Sequence, residues 1–382
     1  MAGLNAPEAS VRPDGPVTAE KETQTYLASQ WMLVWWKFRK HKVALVSGII
    51  IALIYLVAIL AEFLTPAPPD RMDSRYLYAP PQTLRLLDRQ GRIGLHVNSF
   101  KSEIDPIALR RVFVTDPETK IPVGLFVKGH PYKLLGLIPA DRHLFGPIDP
   151  AQPMFLLGGD RLGRDLLSRL IAGTRVSMSI GLVGVFLSLL LGVILGGLSG
   201  YYGGSLDNLI QRLIEFLRSI PSIPLWMGLA AALPLTMSPL RMYFAITVIL
   251  SLIGWTSLAR VVRGRFLSLR EEDFVMAARL DGQSEPGIIF RQMLPAFASH
   301  IIASITLAIP GMILAETSLS FLGLGLREPV ISWGVLLQDA QNIRAIATAP
   351  WLLIPALAVV LAVLTLNFLG DGLRDAADPY AR

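Results

Sequence analysis

An island of charge stands between two long apolar runs. Eleven Asp, Glu and Arg residues fall at positions 260–291, so no sustained apolar span fits there. Inside it, Ala277-Ala278, Gly282 and Leu294-Pro295 stand at fixed offsets: the Gly four residues after the second Ala, the Leu-Pro twelve after the Gly. Residues 271–280, which include Asp273 and Met276, predict a short helix with Phe274, Ala277 and Ala278 on one side and charge on the other. Gly282 permits a turn, and Pro295 starts the next helix at its first turn. Such a segment can make contacts with a partner; it carries no reactive group. A second cluster alternates acids and bases: Asp160, Arg161, Arg164, Asp165 and Arg169, with Gly163 and Ser168 between them. These offer ion pairs, and Leu166, Leu167, Leu170 and Ile171 beside them predict an amphipathic helix lying at a membrane surface. The third feature is Glu316, an ionisable residue near the end of an apolar run, which marks it for function by default. A structural hydrogen bond to a neighbouring helix explains it equally well.

Other chemistries find no residues. No G-x-x-x-x-G-K-[ST] loop is present to hold nucleotide phosphates, and no H-E-x-x-H or G-x-S-x-G constellation occurs. His41, His96, His130, His143 and His300 are scattered and cysteine is absent, so neither a zinc site nor a disulfide is supported. The chain is expected to hold no metal or cofactor of its own. Any hydrolysis that drives it must come from another chain.

The elements that must position these residues are membrane helices. With 382 residues, 52% hydrophobic and 17% charged, and a mean hydropathy of +0.51, the chain is too apolar for an ordinary soluble protein. The net charge of +6 reads as cytoplasmic loop charge, since no basic and aromatic stripe suggests nucleic acid. Residues 1–25 read as a disordered tail, and the first apolar run is too long and too late for a cleaved signal. Trp35 and Trp36, followed by Lys37, Arg39, Lys40 and Lys42, mark the cytoplasmic side of a membrane segment and complete a first region, residues 1–42. Spans are expected at residues 43–64, 176–198, 208–233, 242–262, 296–321 and 350–369. Gly192, Gly196 and Gly200 allow close helix packing in the second, and Pro221 and Pro224 should kink the third. Between the first two spans, residues 65–173 form a polar region outside the cytoplasm. Its β-type runs turn near residues 89–91 and at residues 116–119. Residues 174–382 then form a five-helix core with the charged loop 270–295. This topology leaves both termini cytoplasmic, because the Arg-rich loops all fall on one side.

The 277–295 offsets resemble the cytoplasmic EAA loop of ABC-importer permeases, with Met276 in place of the leading Glu and Gln292 in place of the Ile. In that family the loop is a helix, a Gly turn and a second helix that docks on a separate ATPase subunit. Leu157-Gly-Gly-Asp160 through Arg175 is similar to the GTDxxGRDxxSRLxxGxR stretch of dipeptide and oligopeptide importer permeases, with Gly159 replacing Thr. Residues 315–325, AETSLSFLGLG, and the end from Leu369 to Pro379 resemble that family too. The resemblance covers the first span and nearly everything from Leu157 onward, but not residues 70–150. It implies an all-α polytopic protein of the type I importer permease fold with a small β-containing insertion, in a bacterial inner membrane. It further implies a second, homologous permease, two ATPase subunits that bind ATP and magnesium, and an external solute-binding protein. Peptides are the implied solute. Another solute of the same family, a nickel chelate or sugar-phosphate conjugate, is the alternative. An ion-coupled secondary transporter is the rival from another class; it would need buried coupling carboxylates and inverted repeats.

Overall fold

The computed structural model describes residues 30–87, 93–104, 106 and 111–377. The expected tail at residues 1–25, the turn at 89–91 and the last residues of the terminal motif lie outside them.

Five helices are long and apolar enough to cross a membrane among the described residues. Helix α1 (Gln30–Lys40) carries the Trp and basic residues, and His41 separates it from α2 (Lys42–Ile59), accepting a hydrogen bond from the Ala44 N–H through Nδ1. A short turn, α3 (Ala61–Leu64), extends that first span. Helix α4 (Leu166–Tyr202) is 37 residues, about 55 Å at 1.5 Å per residue. It outruns a bilayer core and reaches well into the region expected to be polar. Helix α5 (Gly204–Ser219) is amphipathic, α6 (Ser222–Ala231) is short and apolar, and α7 (Pro239–Leu269) is long. The charged loop holds α8 (Asp273–Leu280) and a helical segment whose middle, Ile288–Met293, is π-helical. Helix α9 (Ala298–Phe321), two short helices α10 (Trp333–Leu337) and α11 (Ile343–Thr348), and α12 (Ile354–Ala377) complete the chain.

Helices α4 and α7 share the most extensive interface, and its spacing is set by glycine. A Cβ on Gly196 would stand 2.4 Å from the Ala259 carbonyl oxygen, and one on Gly200 would stand 2.7 Å from that of Arg263. Backbone meets backbone here, which is how helices gain dispersion energy where no hydrophobic force separates them from lipid. Met178, Ile246, Leu250, Ile313 and Leu366 fill the core that α4, α7, α9 and α12 enclose. Helix α2 lies against α12, with Ala44, Ser47, Ile51 and Ala58 inward. Its other positions, Val46, Ile49, Leu53 and Leu56, stay exposed.

Among the described residues, four antiparallel strands lie between the first two long helices, in the order β1 (Arg85–Leu87), β2 (Ile93–Ile104), β3 (Arg111–Leu134) and β4 (Ile138–Pro147). The first half of β3 pairs with β2 and the second half with β4. The chain leaves for this sheet and returns from it at one place. Tyr78 N–H donates to Asp160 O (3.0 Å), Gly159 N–H to Ala79 O (2.8 Å) and Gln82 N–H to Phe155 O (2.8 Å).

Three expectations are corrected. The third span is not continuous: Ile220 is extended (φ −90°, ψ 128°) between α5 and α6, because Pro221 and Pro224 lack the N–H groups that would carry the helix through. The stretch after Asp165 is not a separate surface helix. Nothing in residues 166–175 breaks a helix, so α4 starts at Leu166, and the boundary expected at 173 falls inside it. Residues 116–119 do not end a strand but form a bulge within β3, where Asp116 accepts the Glu118 N–H (3.1 Å) and the Thr119 hydroxyl (2.9 Å). Between α9 and α12, all five residues of α10 are buried against the helices around them.

Candidate functional site

The acid–base cluster is built around the start of α4. Asp165 caps the helix, accepting from the Ser168 N–H through Oδ2 (2.8 Å). Asp160 turns on itself: Oδ1 accepts from the Leu162 and Arg164 N–H groups (2.8 and 3.0 Å), and Oδ2 accepts from Arg164 Nε (2.6 Å). Arg169 Nε approaches the same Oδ2 (3.5 Å), and its Nη1 donates to Pro69 O (3.2 Å). Gly163 has φ +72°, and a Cβ there would stand 2.0 Å from Asp73 O. Asp160, Arg164, Asp165, Ser168 and Arg169 are buried, whereas Arg161 is exposed.

Two residues that the sequence did not single out complete the cluster. Glu328 Oε1 accepts from Arg164 Nη2 (2.6 Å) and Arg169 Nη2 (3.2 Å), and Arg161 Nε meets Asp339 Oδ1 (2.9 Å). Burial alone would raise Glu328, but the Arg164 hydrogen bond and the arginine charges outweigh it and hold the carboxyl below its ordinary range. Burial dominates at Asp165 and pushes its carboxyl up to about 6. The network ties the segment after α9 to the start of α4; it has no open nucleophile and reads as structure.

Glu316 is fully buried at the end of α9. Its Oε1 accepts from Ser320 Oγ (2.8 Å) and Ser332 Oγ (2.7 Å), and Ser332 Oγ in turn accepts from the Val335 N–H (3.2 Å). Ser177 of α4 accepts from the Trp333 N–H (3.0 Å). The carboxylate therefore pins α10 to α9. Its other oxygen, Oε2, is buried with no hydrogen-bond partner among the described residues.

The charged loop packs on the far end of α4. Val275 and Ala278 of α8 are buried with Tyr201, Phe266, Ile288, Met293 and Phe297. The buried face is thus Val275 and Ala278; Phe274 and Ala277, expected on one side with Ala278, are exposed, as are Asp273, Met276 and Pro295. An eight-residue helix leaves its facing undecided by one step, and the β-branched Val275 fills the gap. Gly282 takes φ +73° with no atom within 4 Å of where its Cβ would be, and Leu294 is half-buried. Phe274, Met276, Leu280 and Phe290 present apolar surface among the charges. Asp207 binds Arg263 through both oxygens (2.5 and 2.6 Å) and joins α5 to α7 beside this loop.

Within the bundle, a cavity of about 460 Å³ opens between α4, α5, α6, α7 and α9. Its walls are small or apolar, including Ser188, Gly254, Ser257, Gly311 and Ala315, with Arg218 at one edge donating to Ser257 Oγ (3.0 Å). The Trp226 indole N–H in its lining has no acceptor among the described residues.

Residues 188–382 match the family model described as binding-protein-dependent transport system inner membrane component, and residues 29–81 match the N-terminal transmembrane domain of oligopeptide transport permease C. The chain is an ABC-importer permease component of the dipeptide/oligopeptide family. The dipeptide transport system permease protein DppC of Lactococcus lactis subsp. cremoris is 31% identical to this permease over 382 residues, 100% of this chain and 99% of that one. The oligopeptide transport system permease protein OppC of Haemophilus influenzae is 42% identical over 226 residues, covering 59% of this chain and 70% of that one. Among solved structures, an inward-facing conformation of the MetNI methionine ABC transporter covers 55% of this chain and 97% of its own, with a TM-score of 0.42 and 17% identity. Permease components of this family are not themselves enzymes. The two family matches take in the first span, α4 from residue 188 onward, the later long helices and the charged loop, and leave residues 82–187 between them.

Proposed function

We propose that this permease forms one half of a translocation pathway for peptides delivered by an external solute-binding protein. A second, homologous permease supplies the other half. Two separate ATPase subunits, which bind ATP and magnesium, dock on the loop 270–295, and both termini lie on their side of the inner membrane. The sheet lies on the opposite side. The observation that carries this reading is the construction of the loop. Val275 and Ala278 root α8 in the bundle core while Phe274, Met276, Leu280 and Phe290 face outward amid charge. A helix anchored by one face and apolar on the other can pass a partner's movement to the membrane helices. Asp273, Ala277, Gly282 and Pro295 are then contact or hinge positions. The cavity beside Arg218 and Ser257 is the chain's share of the path. Its small, weakly polar walls suit passage, because tight binding there would slow release. Peptides are favoured over a nickel chelate or a sugar-phosphate conjugate because dipeptide and oligopeptide permeases are the matched relatives.

The test is uptake by vesicles that hold the assembled complex and its binding protein, using labelled peptides of varied length. ATP-dependent uptake that unlabelled peptides compete away is expected. Uptake driven by an ion gradient, without ATP or partners, would overturn the reading in favour of a secondary transporter.

A further inference from the structure

The tip of the β3–β4 hairpin breaks a local rule. Leu135 and Gly136 have φ +52° and +75°, and the Leu137 N–H donates to Leu134 O (3.0 Å), which makes a tight turn with two left-handed residues. Asn, Asp or Gly normally occupies the first of these positions, because a branched apolar side chain is strained there. Leucine stands there instead, and the apolar run continues around it. Leu135 is 52% exposed, Leu137 81% and Ile138 61%. A soluble turn gains nothing from such a tip.

The tip's position supplies the reason. Glu62 lies twenty residues beyond Lys42, about 30 Å along the first span, which is the thickness of a bilayer's hydrocarbon core. The Leu135 backbone lies beside the Glu62 carboxylate, and His143 of β4 binds the Glu62 carbonyl through Nδ1 (3.0 Å). Phe126 of β3 lies 6.1 Å from Phe63, centroid to centroid. The hairpin is therefore held at the level where the first span leaves the membrane. The exposed stripe of that span, Leu53, Leu56 and Ile59, runs up to the same level. Behind the apolar tip come Lys133, Arg142 and the amphipathic Tyr132, the residue types that meet lipid headgroups.

We propose that this hairpin tip is a lipid anchor. Leu135, Leu137 and Ile138 enter the interfacial layer of the membrane, and Lys133 and Arg142 meet phospholipid phosphates above it. The anchor fixes the height and tilt of the sheet relative to the spans. It goes beyond the transport reading and holds whichever solute is carried.

The chain has no cysteine, so single labels are clean. The full-length permease carrying Leu137→Cys with an environment-sensitive fluorophore is reconstituted into nanodiscs of phosphatidylethanolamine and phosphatidylglycerol. Lipids with a nitroxide at shallow depth then serve as quenchers. The control is Ile104→Cys, also exposed, at the end of β2 farthest from the tip. We expect the label at 137 to lose about twofold more fluorescence than the label at 104. Adding Ile138→Asp, an exposed position that leaves the fold intact, should return the 137 label to the control level. Equal quenching at the two sites overturns the proposal. So does a blue-shifted 137 label that the nitroxides do not reach, which would mean that protein covers the tip. Quenching that survives Ile138→Asp would refute the apolar tip as its cause.

Discussion

Alanine at Gly196 should damage the permease, and alanine at the adjacent Gly197 should not. At Gly196 the new Cβ stands 2.4 Å from the Ala259 carbonyl oxygen and 2.8 Å from the Ala259 Cα. Packed Cβ atoms tolerate contacts of about 3.0–3.4 Å, so α7 must withdraw by about 0.6–1.0 Å. Its backbone cannot yield locally, because its own hydrogen-bond ladder holds the carbonyl. The shift therefore spreads along the seam, through Gly192 against Leu258 and Gly200 against Phe266. Overpacking of this kind costs about 1–3 kcal/mol. At Gly197 the nearest atom is Phe266 Cε1 at 3.5 Å, an ordinary contact. Alanine there also removes glycine's unfavourable helix propensity, a gain of up to about 1 kcal/mol. The two neighbouring variants should thus differ by about 1–4 kcal/mol in reversible unfolding measured in bicelles. If Gly196→Ala unfolds like the parent, or both variants fall together, backbone contact does not set the spacing of α4 and α7.

Four other perturbations follow from the same contacts. In the reconstituted complex, Ala278→Leu overpacks the root of α8 by about 1–3 kcal/mol, so uptake should fall about tenfold while ATP hydrolysis continues. Gly282→Asp should uncouple the two in the same way, and crosslinks from cysteines at 277 and 282 should reach an ATPase chain; their absence would remove the docking assignment. Glu316→Gln keeps an acceptor for Ser320 and Ser332 and should retain both fold and uptake, whereas Glu316→Leu strands two buried hydroxyls at about 1–3 kcal/mol each in a thermal melt. Loss of uptake in a well-folded Glu316→Gln protein would instead point to a coupling carboxylate. Glu328→Ala leaves Arg164 and Arg169 buried without that partner and should cost about 3–5 kcal/mol of thermal stability, with Glu328→Gln milder.

A pH effect is expected at the sheet's root. Burial and the neighbouring His143 lower His130 from 6.5 to about 4. The folded value lies below the unfolded one, so the unfolded chain binds more protons between them. The contribution is complete above about pH 6.5 and is lost as pH falls toward about 4. Hydrogen exchange of β3 and β4 should quicken from pH 7 to 5 after correction for the intrinsic rate. His130→Phe should remove that excess; an unchanged excess would assign it elsewhere.

What could be read from the residues followed physical scale. Long spans announce themselves because twenty apolar residues have few other uses. The break after α5 was half legible: Pro221 and Pro224 foretold a kink, but the amphipathic run before them did not say that the helix would stop. Helix α10 was hidden, because five apolar residues amid Gly and Pro carry no period. Glu328 and Asp339 were invisible as partners of Arg164 and Arg161, since their meeting depends on how α9 returns to α4. Val275 was missed because one step around a short helix exchanges the face that docks for the face that waits.

The hydrogen-bonded mouth at Tyr78–Asp160, Ala79–Gly159 and Gln82–Phe155 makes the sheet a graft. Its two ends already lie side by side, so the helical frame closes whether or not anything is strung between them. Closure entropy barely resists such exchange, changing by about 0.6 kcal/mol for each doubling of the excursion. Evolution can therefore lengthen, trim or replace this module without renegotiating the spans, and an engineer can do the same. A short turn from Gln82 to Phe155 should leave a permease frame that still assembles, stripped of whatever the module adds outside it.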